Sequence, residues 1–223
     1  MPATLDKLRR HDIAGWALVG GLAVEAHRLH RGSTPFVRAL NDLDFVADSF
    51  ERIPASLGED FLFRHIHPLD PPGKIMLQLV DSDARVRIDV FRACGGVMDR
   101  TIEAPPLRII SLEDVVARCA RLLCDLALRI PVASKHATDY LRLVDLVDSD
   151  AVETAWQDHR KPGQPDSFQQ AKSLIERLLP DARDLLITPE YSKDTTLICE
   201  RCIPSRGFEL ADPKLVLSLL GYC

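Results

Sequence analysis

Two carboxylates one residue apart, Asp42 and Asp44, lie in Asn41-Asp42-Leu43-Asp44-Phe45, and a third acid, Asp89, lies in the strand-like run Val86-Arg87-Ile88-Asp89-Val90-Phe91. In extended chain, residues i and i+2 point to the same side. Asp42 and Asp44 are therefore expected to project together while Leu43 and Phe45 turn into a core. Asp89 on a neighbouring strand would complete a three-carboxylate cluster. Such a cluster repels itself unless a hard cation neutralises it. Mg²⁺ is the usual choice, with Mn²⁺ as its substitute, and nucleotide phosphates complete the shell. An Asp-x-Asp pair alone is common in turns, so its meaning depends on the elements around it.

Upstream, Trp16-Ala17-Leu18-Val19 is a short apolar run that predicts a buried strand. Gly20-Gly21 ends it, and residues 22–29 have helical periodicity. A glycine pair between strand and helix lets backbone N–H groups face an anion at a helix N-terminus. A phosphate cradle followed by paired acids and then a third acid describes phosphoryl or nucleotidyl transfer.

The order Gly-Gly, roughly twenty residues, Arg-x-x-x-Asp-x-Asp and then a strand acid resembles the nucleotidyltransferase superfamily of the polymerase-beta type. It is most similar to the AbiEii-like nucleotidyltransferases, many of them toxins of toxin–antitoxin pairs. In Arg38-Ala39-Leu40-Asn41-Asp42-Leu43-Asp44, Leu40 stands where that family usually has Thr, and Gly21 where many members carry a phosphate-touching Ser. The family's helical Lys-Asp-x-x-Asp-Leu pattern is matched by Lys135-His136-Ala137-Thr138-Asp139-Tyr140-Leu141. An earlier helical Lys is replaced, with Arg118 or Arg121 as substitutes.

The resemblance covers about residues 10 to 148. It implies an α/β (α+β) fold in which a nucleotidyltransferase-like mixed sheet flanked by helices is followed by a smaller helical region. It implies that Asp42, Asp44 and Asp89 bind metal and act in catalysis together with Lys135 and Asp139. The nucleotide would be bound by Gly20, Gly21, Arg38 and Lys135, with Lys135 on a phosphate and Asp139 orienting it. On spacing alone, Lys135 and Asp139 are an ordinary i,i+4 surface pair.

The remaining elements follow from periodicity. Residues 49–54 suggest a short helix or turn, 61–66 a strand, and 70–73 a turn. Residues 75–80 and 84–91 predict a hairpin around Asp81-Ser82-Asp83, with Arg85, Arg87 and Asp89 on one face. That face is too charged for a core and suits arriving phosphates. Ser111-Leu112-Glu113-Asp114 is a capping signature opening a helix through Leu123, and a second helix spans 135–146. Residues 156–165 read as a linker, 166–179 as an amphipathic helix, and 215–220 as a docking helix in the tail. The expected domains are a catalytic domain over 1–110, a helical domain over 111–185 and a tail over 186–223.

Composition suits a cytoplasmic enzyme. The chain has 223 residues and a formal charge of −5, which argues against a wholly basic surface but not against a local RNA-binding patch. His27-Arg28-Leu29-His30-Arg31 is a candidate patch, or else a solvated helix end favoured by the dipole. No apolar run approaches the ~18 residues of a membrane span, and no signal-peptide core opens the chain. The six cysteines read as reduced thiols. Cys94, Cys119 and Cys124 are expected to pack in apolar surroundings. Cys199-Glu200-Arg201-Cys202 is half a zinc knuckle without its second half, so two free thiols are the expectation and zinc is not.

Function then reads as transfer of NMP from an NTP to an acceptor hydroxyl. The resemblance points to tRNA or another RNA as acceptor and to an antitoxin protein as partner. A small-molecule acceptor, as in aminoglycoside or lincosamide nucleotidyltransferases, is the alternative. A non-catalytic binding module of the same fold is a third reading, against which the intact Asp42, Asp44 and Asp89 argue.

Overall fold

Seven strands form one mixed sheet in the computed structural model, which describes residues 1–31, 42–49, 53–66, 76–104 and 107–188. The strands are β1 (Trp16–Val19), β2 (Asp42–Ala47), β3 (Leu62–Ile66), β4 (Met76–Asp81), β5 (Val86–Arg92), β6 (Ile102–Ala104) and β7 (Leu107–Ile109), in the spatial order β3-β4-β5-β2-β1-β7-β6. The β2–β5 and β1–β7 pairs are parallel; all others are antiparallel. Among the described residues, three helices accompany the sheet: α1 (Pro2–Leu8), α2 (Gly20–His30) and the single turn α3 (Leu57–Asp60). The architecture is therefore a mixed α/β sheet flanked by helices, the fold that the resemblance implies.

The period-two pattern decides which face each strand buries. In β2, Leu43 and Phe45 are fully buried while Asp42 and Asp44 are half-buried. Ile88 and Val90 of β5 and Leu77 and Leu79 of β4 join the same apolar cluster, with Leu8, Ala23 and Leu57 contributed by the three helices. Trp16 packs on Phe45 with ring centroids 5.6 Å apart. Fully burying one such side chain is worth about 1.5–3 kcal/mol, which fixes the register and with it the side on which the acids emerge.

By its contacts the chain divides into two compact units. The first holds Met1–Ala93 and Ile102–Ile109, and the second holds Cys94–Thr101 and Ile110–Tyr191. The second contains α4 (Leu112–Cys124), α5 (Ser134–Leu143), α6 (Ser149–His159) and α7 (Phe168–Leu178), plus the short parallel pair β8 (Val132–Ala133) and β9 (Leu186–Ile187). The helix α4 packs against each of the other three. Among the described residues, no helix is long and apolar enough to cross a membrane.

Three sequence expectations are corrected here. Residues 156–165 are not all linker: Trp156 lies within α6, is fully buried, and donates its indole N–H to the Pro165 carbonyl at 3.0 Å. The apolar residues Val152, Ala155 and Trp156 follow helical spacing, which outweighs the polar residues between them. Arg85 does not share the strand face of Arg87 and Asp89. It sits in the turn before β5 with φ +52°, in the left-handed region. The second helix runs from Ser134 to Leu143, not to 146. The expected turns around residues 50–52 and 70–73 and the tail helix 215–220 lie outside the described residues.

The capping signature at α4 holds. The Asp114 N–H donates to Ser111 Oγ at 3.0 Å, and that hydroxyl donates to Asp114 Oδ2 at 2.7 Å. Asp114 is fully buried and also accepts from Arg100 at 2.7 and 3.1 Å. Burial alone would raise its pKa, but hydrogen bonds from His159, Arg100 and Ser111 outweigh that and hold it at about 2 against an ordinary 3.8. Because the folded value is depressed, this stability is present above the unfolded pKa and is lost as pH falls from about 4 towards 2. Its size is about 2 kcal/mol. Asp114→Asn is therefore expected to lower the melting temperature at pH 7 and to flatten its decline between pH 4 and 2. An unchanged acid limb in calorimetry would contradict the role given to this carboxylate.

Candidate functional site

The cluster is assembled by the parallel pairing of β2 with β5. Asp42 stands opposite Arg87 and Asp44 opposite Asp89, so all three acids emerge on one side of two adjacent strands. One carboxylate oxygen from each of Asp42, Asp44 and Asp89 lies within 4.8 Å of the others. Asp42 and Asp44 are half-buried and Asp89 is buried. Three acids this close suit a divalent cation that shares their oxygens.

Two neighbours set the geometry, and neither was singled out for this role from sequence. Arg87 pairs with Asp42 through Nη2 and with Asp89 through Nε at 3.1 Å. Among the described residues, the Arg87 guanidinium offsets part of the negative charge that the three carboxylates concentrate here, and a divalent ion would offset more. Gln78 of β4 stands opposite Asp89, is itself buried, and donates from Nε2 to Asp89 Oδ1 at 2.8 Å. A buried amide within the apolar run Leu77-Gln78-Leu79-Val80 is the signal that could have found it, because such a group requires a partner.

The glycine turn meets the cluster directly. On the β1–β2 pair, Val19 stands opposite Asp44, so the next residue, Gly20, lies beside the Asp44 side chain. Gly20 has φ +67°, and a Cβ there would fall 2.1 Å from Asp44 Oδ2 and 2.8 Å from both its Cβ and Cγ. A side chain at position 20 would thus occupy the space the carboxylate uses. Gly20 also begins α2, whose N-cap residue Val19 makes no side-chain cap hydrogen bond, and a helix N-terminus of this kind presents N–H groups that suit an anion. Gly21 is the second residue of that helix.

Other candidates fare differently. Arg38 lies outside the described residues, as do Cys199, Cys202 and Cys223. Lys135 and Asp139 both lie on α5 in the second unit, where Lys135 is exposed and Asp139 is buried, 5 % exposed. They are therefore not the ordinary surface pair that their spacing alone suggests. Arg118 and Arg121 are half-buried on α4. Burial holds the Arg121 pKa below its ordinary value, with Arg118 adding to the effect. The basic run 27–31 is not a continuous solvated patch: His27 is buried, and Arg28 pairs with Glu25 of its own helix at 3.0 Å. Cys119 and Cys124 are buried as expected, but Cys94 is exposed.

No protein-family model and no curated protein matches the chain. Among solved structures, JHP933 from Helicobacter pylori aligns over 82 % of this chain and 94 % of its own, at 15 % identity and a TM-score of 0.31. A second H. pylori chain, provisionally described as a nucleotidyltransferase, aligns over 80 % of this chain and 94 % of its own, at 14 % identity and a TM-score of 0.29. Superpositions this loose carry no weight for fold or chemistry, which rest on the geometry above.

Proposed function

We propose that this chain is a metal-dependent nucleotidyltransferase that moves NMP from an NTP to an acceptor hydroxyl. The observation that supports this reading is the convergence of Asp42, Asp44 and Asp89 within 4.8 Å beside the glycine-started N-terminus of α2. Asp42, Asp44 and Asp89 would hold Mg²⁺, or Mn²⁺ in its place. Bound there, the ion would neutralise phosphate charge and acidify the acceptor hydroxyl. Arg87 and Gln78 keep the carboxylates in place, Arg87 through Asp42 and Asp89, Gln78 through Asp89. The α2 amides from Gly20 and Gly21 onward would take the terminal phosphates, with Arg38 assisting. Positioning and charge cancellation are the main protein contributions to such a reaction.

For the acceptor we propose RNA, with tRNA as the first candidate, and an antitoxin protein as a cytoplasmic partner. This rests on the AbiEii-like motif order. Incubation with labelled NTPs and total RNA, then with aminoglycosides and lincosamides, tests it. Label on RNA supports the proposal, and label on a drug alone replaces the acceptor. Absence of Mg²⁺-dependent NTP turnover with every acceptor would contradict the enzymatic reading.

Lys135 and Asp139 enter this proposal as a phosphate contact and its orienting partner. Lys135→Ala is expected to lower NTP turnover about a hundredfold, roughly 2.7 kcal/mol of transition-state stabilisation. The melting temperature should barely move, since an exposed lysine contributes ~0–1 kcal/mol at most. Turnover within about twofold of wild type would make Lys135 a surface residue.

A further inference from the structure

Cys94, His159 and Asp114, 20 to 65 positions apart in sequence, meet in the second unit in a constellation unlike the carboxylate cluster. Cys94 Sγ lies 3.6 Å from His159 Nδ1, and His159 Nε2 lies 3.1 Å from Asp114 Oδ1. Asp114 is fully buried and held by Arg100 and Ser111, so it anchors the ring. A carboxylate can only accept, so Nε2 carries a proton, leaving Nδ1 to take the proton of the thiol. Thiol, imidazole and orienting carboxylate in series is the arrangement that activates a cysteine nucleophile.

The backbone beside the sulfur is built for this approach. Gly95 has φ +49°, and a Cβ there would fall 2.2 Å from Asp158 Cγ. The Gly96 N–H donates to Asp158 Oδ2 at 2.9 Å, and that carboxylate is paired in turn with Arg100 Nη1 at 2.8 Å. Cys94 is exposed, whereas the other described cysteines, Cys119 and Cys124, are buried. Solvent reaches Cys94, while the protein behind the sulfur works against its charge. The His159 hydrogen bond and charge outweigh that effect, and the thiol pKa lies below its ordinary value. Burial likewise opposes the His159 charge, and the hydrogen bonds to Asp114 and Cys94 overcome it, so its pKa lies above the ordinary value. The charged groups facing the pair are Asp114, Asp158, Arg100 and, from α4, Arg121.

We infer that Cys94, His159 and Asp114 form an activated thiolate site whose reaction partner is a small neutral oxidant of the peroxide class. The Cys94 thiolate attacks one oxygen of hydrogen peroxide, an S–O bond forms and the O–O bond breaks. The departing hydroxide takes the proton from His159 Nδ1 and leaves as water. Sulfur is oxidised by two electrons to the sulfenic acid and the peroxide is reduced. The surroundings favour this over acyl transfer. The Gly96 amide that could meet an oxyanion is already used by Asp158, and Asp158 and Asp114 would repel negative charge growing beside the sulfur. Asp114 acts as a positioning residue through His159.

The test uses the full reduced chain and reads Cys94 on its own tryptic peptide, residues 93–100, by mass spectrometry. Iodoacetamide rates are taken across pH 5.5 to 9, and sulfenic acid formed by hydrogen peroxide is trapped with dimedone. Wild-type Cys94 is expected to alkylate at pH 7 about tenfold faster than in His159→Gln, with a rate midpoint below the ordinary thiol value of about 8.5. Dimedone capture should fall in the variant to the level of the urea-unfolded chain. If His159→Gln loses its near-ultraviolet circular dichroism, the wild-type profile against the unfolded chain decides. A midpoint at or above that of the unfolded chain overturns the activated thiolate. A low midpoint without dimedone capture overturns the peroxide chemistry.

Discussion

Asp44→Asn is expected to lower NTP turnover at least about a thousandfold while the melting temperature stays level or rises. A thousandfold corresponds to roughly 4 kcal/mol of transition-state stabilisation, the scale on which loss of a metal-binding carboxylate acts. The stability side follows from charge. Three carboxylates within 4.8 Å of one another repel in the absence of a cation, and removing one relieves that repulsion. Asp42 and Asp89 each hold Arg87, so Asp42→Ala and Asp89→Ala are expected to lose activity equally while giving up an ion pair, which offsets the relief of repulsion. Mn²⁺ binding, followed by electron paramagnetic resonance, should weaken in all three variants and reports on the site without reference to turnover. Full activity in both the Asp42 and Asp44 variants would sink the metal-site assignment. Lost activity with unchanged Mn²⁺ affinity would leave the carboxylates needed for something other than holding the ion.

The acids were legible in the sequence because their information is local. The alternation Asp42-Leu43-Asp44-Phe45 states its own face, and Ile88-Asp89-Val90 does so for the partner strand. What binds the two strands is not local. The β2–β5 pairing spans about forty-five residues, with β3 and β4 in between, and no spacing rule announces that Arg87 will stand opposite Asp42 or Gln78 opposite Asp89. Arg87 looked like a phosphate-facing cation, and its place beside two carboxylates became visible only with the register. The same limit explains Cys94 and Trp156. Cys94 sits among small apolar residues and so looked like packing, but its chemistry is set by His159, sixty-five positions away. Trp156 opens a polar stretch that ends at Pro165 and reads as a linker, whereas the helical face it belongs to carries only three buried apolar residues. Gly20 is the intermediate case: its place between strand and helix was legible, but its approach to Asp44 was not.

That approach yields the sharpest structural prediction. Gly20→Ala is expected to destabilise the protein by about 3 kcal/mol and to abolish turnover as fully as Asp44→Asn. Two costs combine. An L-residue at φ +67° carries about 1–2 kcal/mol of backbone strain. The new methyl would also fall 2.1 Å from Asp44 Oδ2 and 2.8 Å from its Cβ and Cγ. The carboxylate oxygen can rotate away, but the Cβ is fixed to a central strand flanked by β1 and β5, so the backbone itself has to shift. Rotation of Asp44 removes its oxygen from the cluster, which is why activity and Mn²⁺ binding should fall together with stability. A double-mutant cycle separates the two costs. In an Asp44→Gly background the Cβ, Cγ and oxygen are all gone, so Gly20→Ala should cost less there, approaching the 1–2 kcal/mol of backbone strain alone. If the cost is the same in both backgrounds, within about 0.5 kcal/mol, the two residues do not touch. The strand-to-helix turn would then be a structural corner only, and the glycine would no longer be needed to make room for the carboxylate.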